Sequence, residues 1–111
     1  MVDLDLAKNR LRTWAEGNPL VRALLIFGSY AKGTAQPGSD LDLAVVISPA
    51  RGDADAFTTW IACGDAWTGE LRRLLGFDRV QLEWLDVDGG ETPTVAAGVD
   101  EARIVVYGSC R

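Results

Sequence analysis

The chain has 111 residues, 48% of them hydrophobic, which suffices for one compact domain, read as residues 1–111, and is too little for two. Eleven Lys and Arg against sixteen Asp and Glu give a formal charge of −5, which argues against general binding to a nucleic-acid backbone or an anionic membrane. With no histidine and two cysteines, the chain has no Ser-His or Cys-His nucleophile, no imidazole base and no standard structural zinc site, so its chemistry must rest on carboxylates, hydroxyls, lysine or metal.

No apolar run approaches the ~18 residues of a membrane span. The N-terminus, MVDLDLAKNR, has acidic residues, Asp3 and Asp5, where a secretory signal would be basic, so a cytoplasmic protein is expected. Cys63 reads as a small buried apolar residue and Cys110 as a terminal thiol.

In chain order, Leu4, Ala7, Leu11 and Trp14 recur at helical spacing from Asp3 to Glu16, and Gly17-Asn18-Pro19 stops that helix. Leu20 to Phe27 (LVRALLIF) is almost continuously apolar, the pattern of a central strand buried on both faces. Gly28 breaks it, Ser29 to Lys32 fits one helical turn, and Gly33 to Ser39 is a loop by composition. Asp40 to Ile47 is a second strand, ended by Ser48-Pro49. From Asp53 to Leu75 a stripe of Phe57, Trp60, Ile61, Gly64, Trp67, Leu71, Leu74 and Leu75 predicts a long helix capped by Gly76. Val80, Leu82 and Trp84 alternate with Gln81 and Glu83, a strand with one apolar and one polar face. After a turn from Asp86 to Glu91, Thr92-Pro93 opens a short helix to Ala102, and Ile104 to Tyr107 is the last strand. Trp60, Trp67 and Trp84 are expected in the core, while Trp14 suits either core or surface; Arg51, Arg72, Arg73 and Arg79 read as surface charge.

One stretch carries chemistry. GSYAKGTAQPGSDLDL, residues 28–43, sets a Gly-Ser pair ten residues ahead of two aspartates separated by one leucine. A strand alternates its side chains and rises ~3.3 Å per residue, so Asp40 and Asp42 share a face with Cβ atoms ~6 to 7 Å apart. Two such carboxylates are suitable ligands for Mg²⁺, which ordinarily takes one or two protein carboxylates together with water and phosphate oxygens, and two-metal sites bridge their ions with carboxylate oxygens. Gly28 lies where a buried strand gives way to a turn, so the N–H groups of Ser29 and its successors can face an anion, and Ser29 adds a hydroxyl. An ordinary strand terminator and an ordinary helix N-cap would also use Gly28 and Ser29, and those structural roles are compatible with anion binding. Lys32 can neutralise phosphate or be a solvated surface lysine.

The G-S-x10-D-x-D arrangement, set in LLIFGSYAKGTAQPGSDLDLAVVI, resembles the minimal nucleotidyltransferases (MNT), small members of the DNA polymerase β superfamily. The resemblance implies an α/β (α+β) fold with a mixed sheet flanked by helices, Mg²⁺ in a two-metal site, and transfer of a nucleoside monophosphate, AMP from ATP, to a hydroxyl. Carried over, Gly28 and Ser29 hold the triphosphate, with Lys32 nearby, and Asp40 and Asp42 bind metal. Family members are paired with HEPN proteins as antitoxin with toxin, and some modify that partner by AMP transfer; a homo- or hetero-oligomer is compatible with this.

The family's third carboxylate often reads V-D-L on a neighbouring strand, whereas this chain has Val80-Gln81-Leu82. Glu83 shares Gln81's face one strand repeat further on, as a third metal ligand, a base or a water-bridged group. Two functions follow: a nucleotidyltransferase whose acceptor is brought by a partner, or an antitoxin-like subunit that works by covering that partner with its site slow or silent.

Overall fold

The computed structural model describes residues 2–88 and 90–108, so Cys110 lies outside the described residues. Its elements are α1 (Leu4–Glu16), β1 (Val21–Phe27), α2 (Ser29–Lys32), β2 (Leu41–Ile47), α3 (Ala56–Leu75), β3 (Val80–Trp84), α4 (Pro93–Glu101) and β4 (Arg103–Gly108). The strands form one four-stranded sheet in the order β3-β2-β1-β4. β1 runs antiparallel to both β2 and β4, while β2 and β3 are parallel, so the sheet is mixed. The parallel pair requires a crossover, and α3 supplies it.

β1 is buried along its length except at Arg22 and its last residue, as its central position requires. Alternation then splits its side chains between two layers. Leu24 and Ile26 join Leu41, Leu43 and Val45 under α1 and α3, where Leu11 and Leu71 are fully buried. Burying a leucine fully is worth about 1.5–3 kcal/mol, so this layer carries most of the stability. Ala23, Leu25, Ala44 and Val46 form the opposite layer with Leu85 and Val99 beneath α4.

The helix boundaries have local causes. Asp3 caps α1, its side chain accepting from the N–H of Leu6 at 3.2 Å, and Ala7, Leu11 and Ala15 make the buried face. Asp55 rather than Asp53 caps α3, accepting from Thr58 N–H at 2.9 Å, so the helix starts three residues later than the sequence pattern suggests. Asp53 is otherwise engaged, accepting from the hydroxyl of the buried Thr59 at 2.6 Å. Gly76 ends α3 in the left-handed region at φ 60°, as expected.

The apolar stripe of α3 is only partly a core stripe. Trp67 and Leu71 are buried and Trp60 and Leu75 pack against the core, but Ile61 is 67% and Phe57 49% exposed. Phe57 rests instead on Trp84, ring centroids 5.7 Å apart. Trp14 is structural: it packs edge-on against Trp67 at 6.1 Å and donates from Nε1 to Glu70 at 3.1 Å. Cys63 is half-buried and packs against the core. No described helix is long and apolar enough to cross a membrane.

Candidate active site

Phe27 at the end of β1 lies across from Asp42 on β2, so the next residue, Gly28, meets the Asp42 side chain. Gly28 has φ 70° and ψ −151°, a conformation open to glycine, and a Cβ placed there would run into the Asp42 carboxylate. Both the turn and the close approach therefore require glycine. The chain then makes one helical turn, closed by Lys32 N–H on Gly28 C=O at 3.0 Å, and leaves through Gly33 at φ 77°. A four-residue helix has little macrodipole. The donors at this turn are individual N–H groups and the Ser29 hydroxyl.

Asp42 stands on the α4 face of the sheet, half-buried, with Asp40 just ahead of β2. Burial, then the neighbouring Asp40 carboxylate, then that of Glu83 push the Asp42 carboxyl above its ordinary value of 3.8. The other aspartate has a cation beside it: Arg79 Nε lies 3.2 Å from Asp40 Oδ1, an exposed ion pair. Arg79 is exposed, as its reading as surface charge implies, and is in addition committed to Asp40. Its position immediately before β3 is the signal that could have found it, because parallel pairing brings Arg79, whose carbonyl accepts from Leu41 N–H, level with the start of β2.

Parallel register also places the third position. Gln81 lies beside Asp42 and Glu83 beside Ala44, so β3 presents its polar face on the aspartates' side. Glu83 is exposed and close enough for its charge to act on Asp42. Among the described residues no three Asp, Glu, Cys or His side chains gather into a group that could hold a metal ion. The pair of Asp40 and Asp42 is thus the acidic centre, and the amide of Gln81 fills the adjacent position. Two hard oxygen donors with unrelieved repulsion at Asp42 fit a divalent cation that completes its shell with water and phosphate oxygens.

Lys32 ends α2 with its ammonium 3.1 Å from Glu101 on α4, both side chains exposed. This pair ties the helical turn after Ser29 to the helix that covers the same sheet face. Arg72, also read as surface charge, is half-buried and donates from Nε and Nη2 to the Val80 carbonyl at 3.1 and 2.9 Å.

The family described as Polymerase beta, Nucleotidyltransferase matches residues 9–83, which contain the Gly-Ser turn, both aspartates and β3. No curated protein matches the chain at a significant level. Among solved structures, a toxin-antitoxin complex with AMP-PNP superposes with a TM-score of 0.65 at 22% identity, covering 92% of this chain and 73% of that one. A tri-AMPylated Shewanella oneidensis HEPN toxin in complex with MNT antitoxin gives 0.59 at 20% identity, covering 95% and 72%. The toxin-antitoxin MntA-HepT gives 0.60 at 19%, covering 95% and 73%. At these identities the superpositions speak for the fold, the mixed-sheet α+β fold of polymerase β-like nucleotidyltransferases. With the family pattern spanning more than half of its length and the Gly-Ser turn set against the aspartate pair, this chain belongs to the polymerase β nucleotidyltransferase family.

Proposed function

We propose that the protein is a cytoplasmic, Mg²⁺-dependent nucleotidyltransferase that moves a nucleoside monophosphate, AMP from ATP, onto a hydroxyl of a partner protein of the HEPN type. The observation that carries this reading is the contact of Gly28 with Asp42: an anion-facing turn and a carboxylate pair share one ledge, as a triphosphate bound through cations needs. The solved complexes support the choice of nucleotide and partner class, one holding AMP-PNP and another a tri-AMPylated HEPN toxin.

In this reading the Ser29 hydroxyl and the turn's N–H groups hold the triphosphate tail, with Lys32 available once it exchanges Glu101 for phosphate. Asp40 and Asp42 would hold the cations, which when bound neutralise phosphate charge and lower the pKa of the attacking hydroxyl. The acceptor oxygen forms a bond to the α-phosphorus as the bond from that phosphorus to the bridging oxygen breaks, and pyrophosphate leaves with the electron pair. The acceptor proton passes to a carboxylate or water at the ledge; Glu83, exposed beside it, is the candidate base or third ligand.

A second reading is favoured by Gln81, which puts an amide beside Asp42: a subunit that covers its partner while its site is slow or silent. Incubation of the protein and its co-purifying partner with labelled ATP and Mg²⁺ separates the two. Mass spectrometry of the partner should show an added nucleoside monophosphate on Tyr, Ser or Thr; a stable complex with an unmodified partner establishes the second reading.

A further inference from the structure

β3 is an edge strand, and the direction of its backbone groups follows from two bonds. Leu41 N–H donates to Arg79 C=O at 2.8 Å and Leu85 N–H to Val45 C=O at 2.9 Å, so the odd residues of β3 face β2 and the even residues face outward. Arg72 confirms the parity by capping the outward carbonyl of Val80. Among the described residues, the outward N–H and C=O groups of Leu82 and Trp84 take part in no hydrogen bond. Such groups are a template for another strand.

A cavity of about 320 Å³ opens alongside them, with Phe57 and Trp60 of α3 on one wall, Pro93 and Val95 of α4 on the other, and Glu83 and Trp84 between. Its continuation is edged by Asp55, Asp86 and Glu91, and among the described residues no Lys or Arg lines either part. The free backbone groups suit an extended segment, the aromatic wall suits apolar or aromatic side chains, and the acidic rim suits cations. A second copy of the chain would bring the same acidic rim and a formal charge of −5 of its own, so like charges oppose self-pairing.

We propose that the β3 edge and its groove bind an extended, basic peptide segment of a partner protein, added to the sheet as a further strand. Resting on the nucleotidyl-transfer reading, the segment is also the carrier of the acceptor hydroxyl. Neighbouring strands lie ~4.8 Å apart, so an added strand runs ~10 Å from β2, and its alternate side chains rise from the same face as Gln81, Glu83 and Asp42. A long side chain such as tyrosine, leaning toward β2, covers part of that gap. The other side chains of the segment meet Phe57 and Trp84.

The test uses the full chain and an acetylated, amidated peptide of four Arg-Tyr repeats as the probe. Addition of the peptide should slow hydrogen exchange at the Leu82 and Trp84 amides at least ~10-fold, a protection expected of newly paired edge groups. N-methylation of one alternate set of peptide residues should abolish binding while methylation of the other set is tolerated, and a Glu-Tyr peptide should bind at least ~10-fold more weakly. Phe57→Ala, at a half-exposed residue stacked on Trp84, should weaken peptide binding by more than its small loss of Tm accounts for, read as the affinity of the fully folded variant. Absence of protection at Leu82 and Trp84, equal tolerance of both methylated sets, or protection that grows with protein concentration and no peptide would each overturn the proposal, the last in favour of a second copy. AMP transfer to the peptide is scored separately. Strand addition without transfer upholds the edge and counts against the nucleotidyl-transfer reading, whereas transfer equally fast to both methylated peptides rejects the edge and leaves that reading standing.

Discussion

The two faces of the sheet are made by the same four strands and do different work. Among the described residues, a cluster of seventeen buried ones including Leu11, Leu24, Leu71 and Trp67 lies beneath α1 and α3, and beneath α4 the buried cluster has six, mostly small. The thinner face is the one that carries Asp42, Gln81 and Glu83. α4 approaches it through a glycine, where a Cβ at Gly98 would come within 3.0 Å of the Phe27 ring. Covering the sheet only in part leaves carboxylates half in water, where they stay ionisable and reachable, while the other face supplies the stability that such a site costs. Separation of the two duties is what the difference teaches: a substitution on one face should move stability and on the other activity.

The largest effect that would test this separation is at the aspartates. Asp40→Asn with Asp42→Asn should lower transfer by at least ~10³-fold, about 4 kcal/mol, since the proposed cation ligands are gone. The additional rise in Tm with ATP plus Mg²⁺ over either alone should vanish too. An undiminished rise in the double variant would remove the site assignment. On the opposite face, Leu71→Ala should cost about 2–5 kcal/mol in urea unfolding while turnover per folded molecule stays level, because Leu71 is fully buried away from the ledge. A fall in turnover as large as the fall in stability would break the comparison.

Glu83→Gln sharpens it further. Loss of the carboxylate whose charge acts on Asp42 next after that of Asp40 should cut turnover ~10²-fold with little change in Tm, as for a general base or outer carboxylate. Gln81→Asp should leave activity level or raise it. If Glu83→Gln is silent and Gln81→Asp creates activity from nothing, the protein is a binding subunit.

The smallest effect concerns pH. The folded state holds the Asp42 proton more tightly than the unfolded chain, so it binds more protons in the window above 3.8, and stability falls as pH rises through that window. Beyond the raised value the penalty of the ionised group is constant. Asp42→Asn alone should therefore flatten that stretch of the stability-versus-pH curve and raise Tm at neutral pH without ligand. An unchanged slope would mean that Asp42 is less crowded than its neighbours imply.

Much of this site was legible in the sequence because its main parts are close along the chain. Gly28 and Ser29 directly follow β1, Asp40 and Asp42 stand at the start of β2, and only one helical turn and a loop separate the two pairs, so the pattern is contiguous in the chain. The parity of Gln81 and Glu83 was legible from strand alternation. What stayed hidden depends on where separate elements meet. Arg79 reaches Asp40, Arg72 reaches Val80, and Lys32 reaches Glu101, and nothing in composition or period specifies such partners. The exposed flank of α3 was misread for a related reason: Phe57 and Ile61 fit a helical apolar period, but Phe57 leans on Trp84 at the sheet's edge and Ile61 faces outward.

The parallel pairing of β2 with β3 has a kinetic side. β1 and β2, with the turn between them, form a local antiparallel unit whose ends meet across a short loop, whereas Gln81 and Glu83 reach Asp42 only after α3 has carried the chain over the sheet. Closing the longer loop loses more chain entropy and is repaid later, so the Gly-Ser turn and the aspartate pair should assemble ahead of the strand that completes the ledge. The nascent hairpin would already own the residues that define its family, and the last-docked strand would be the one whose chemistry is freest to drift.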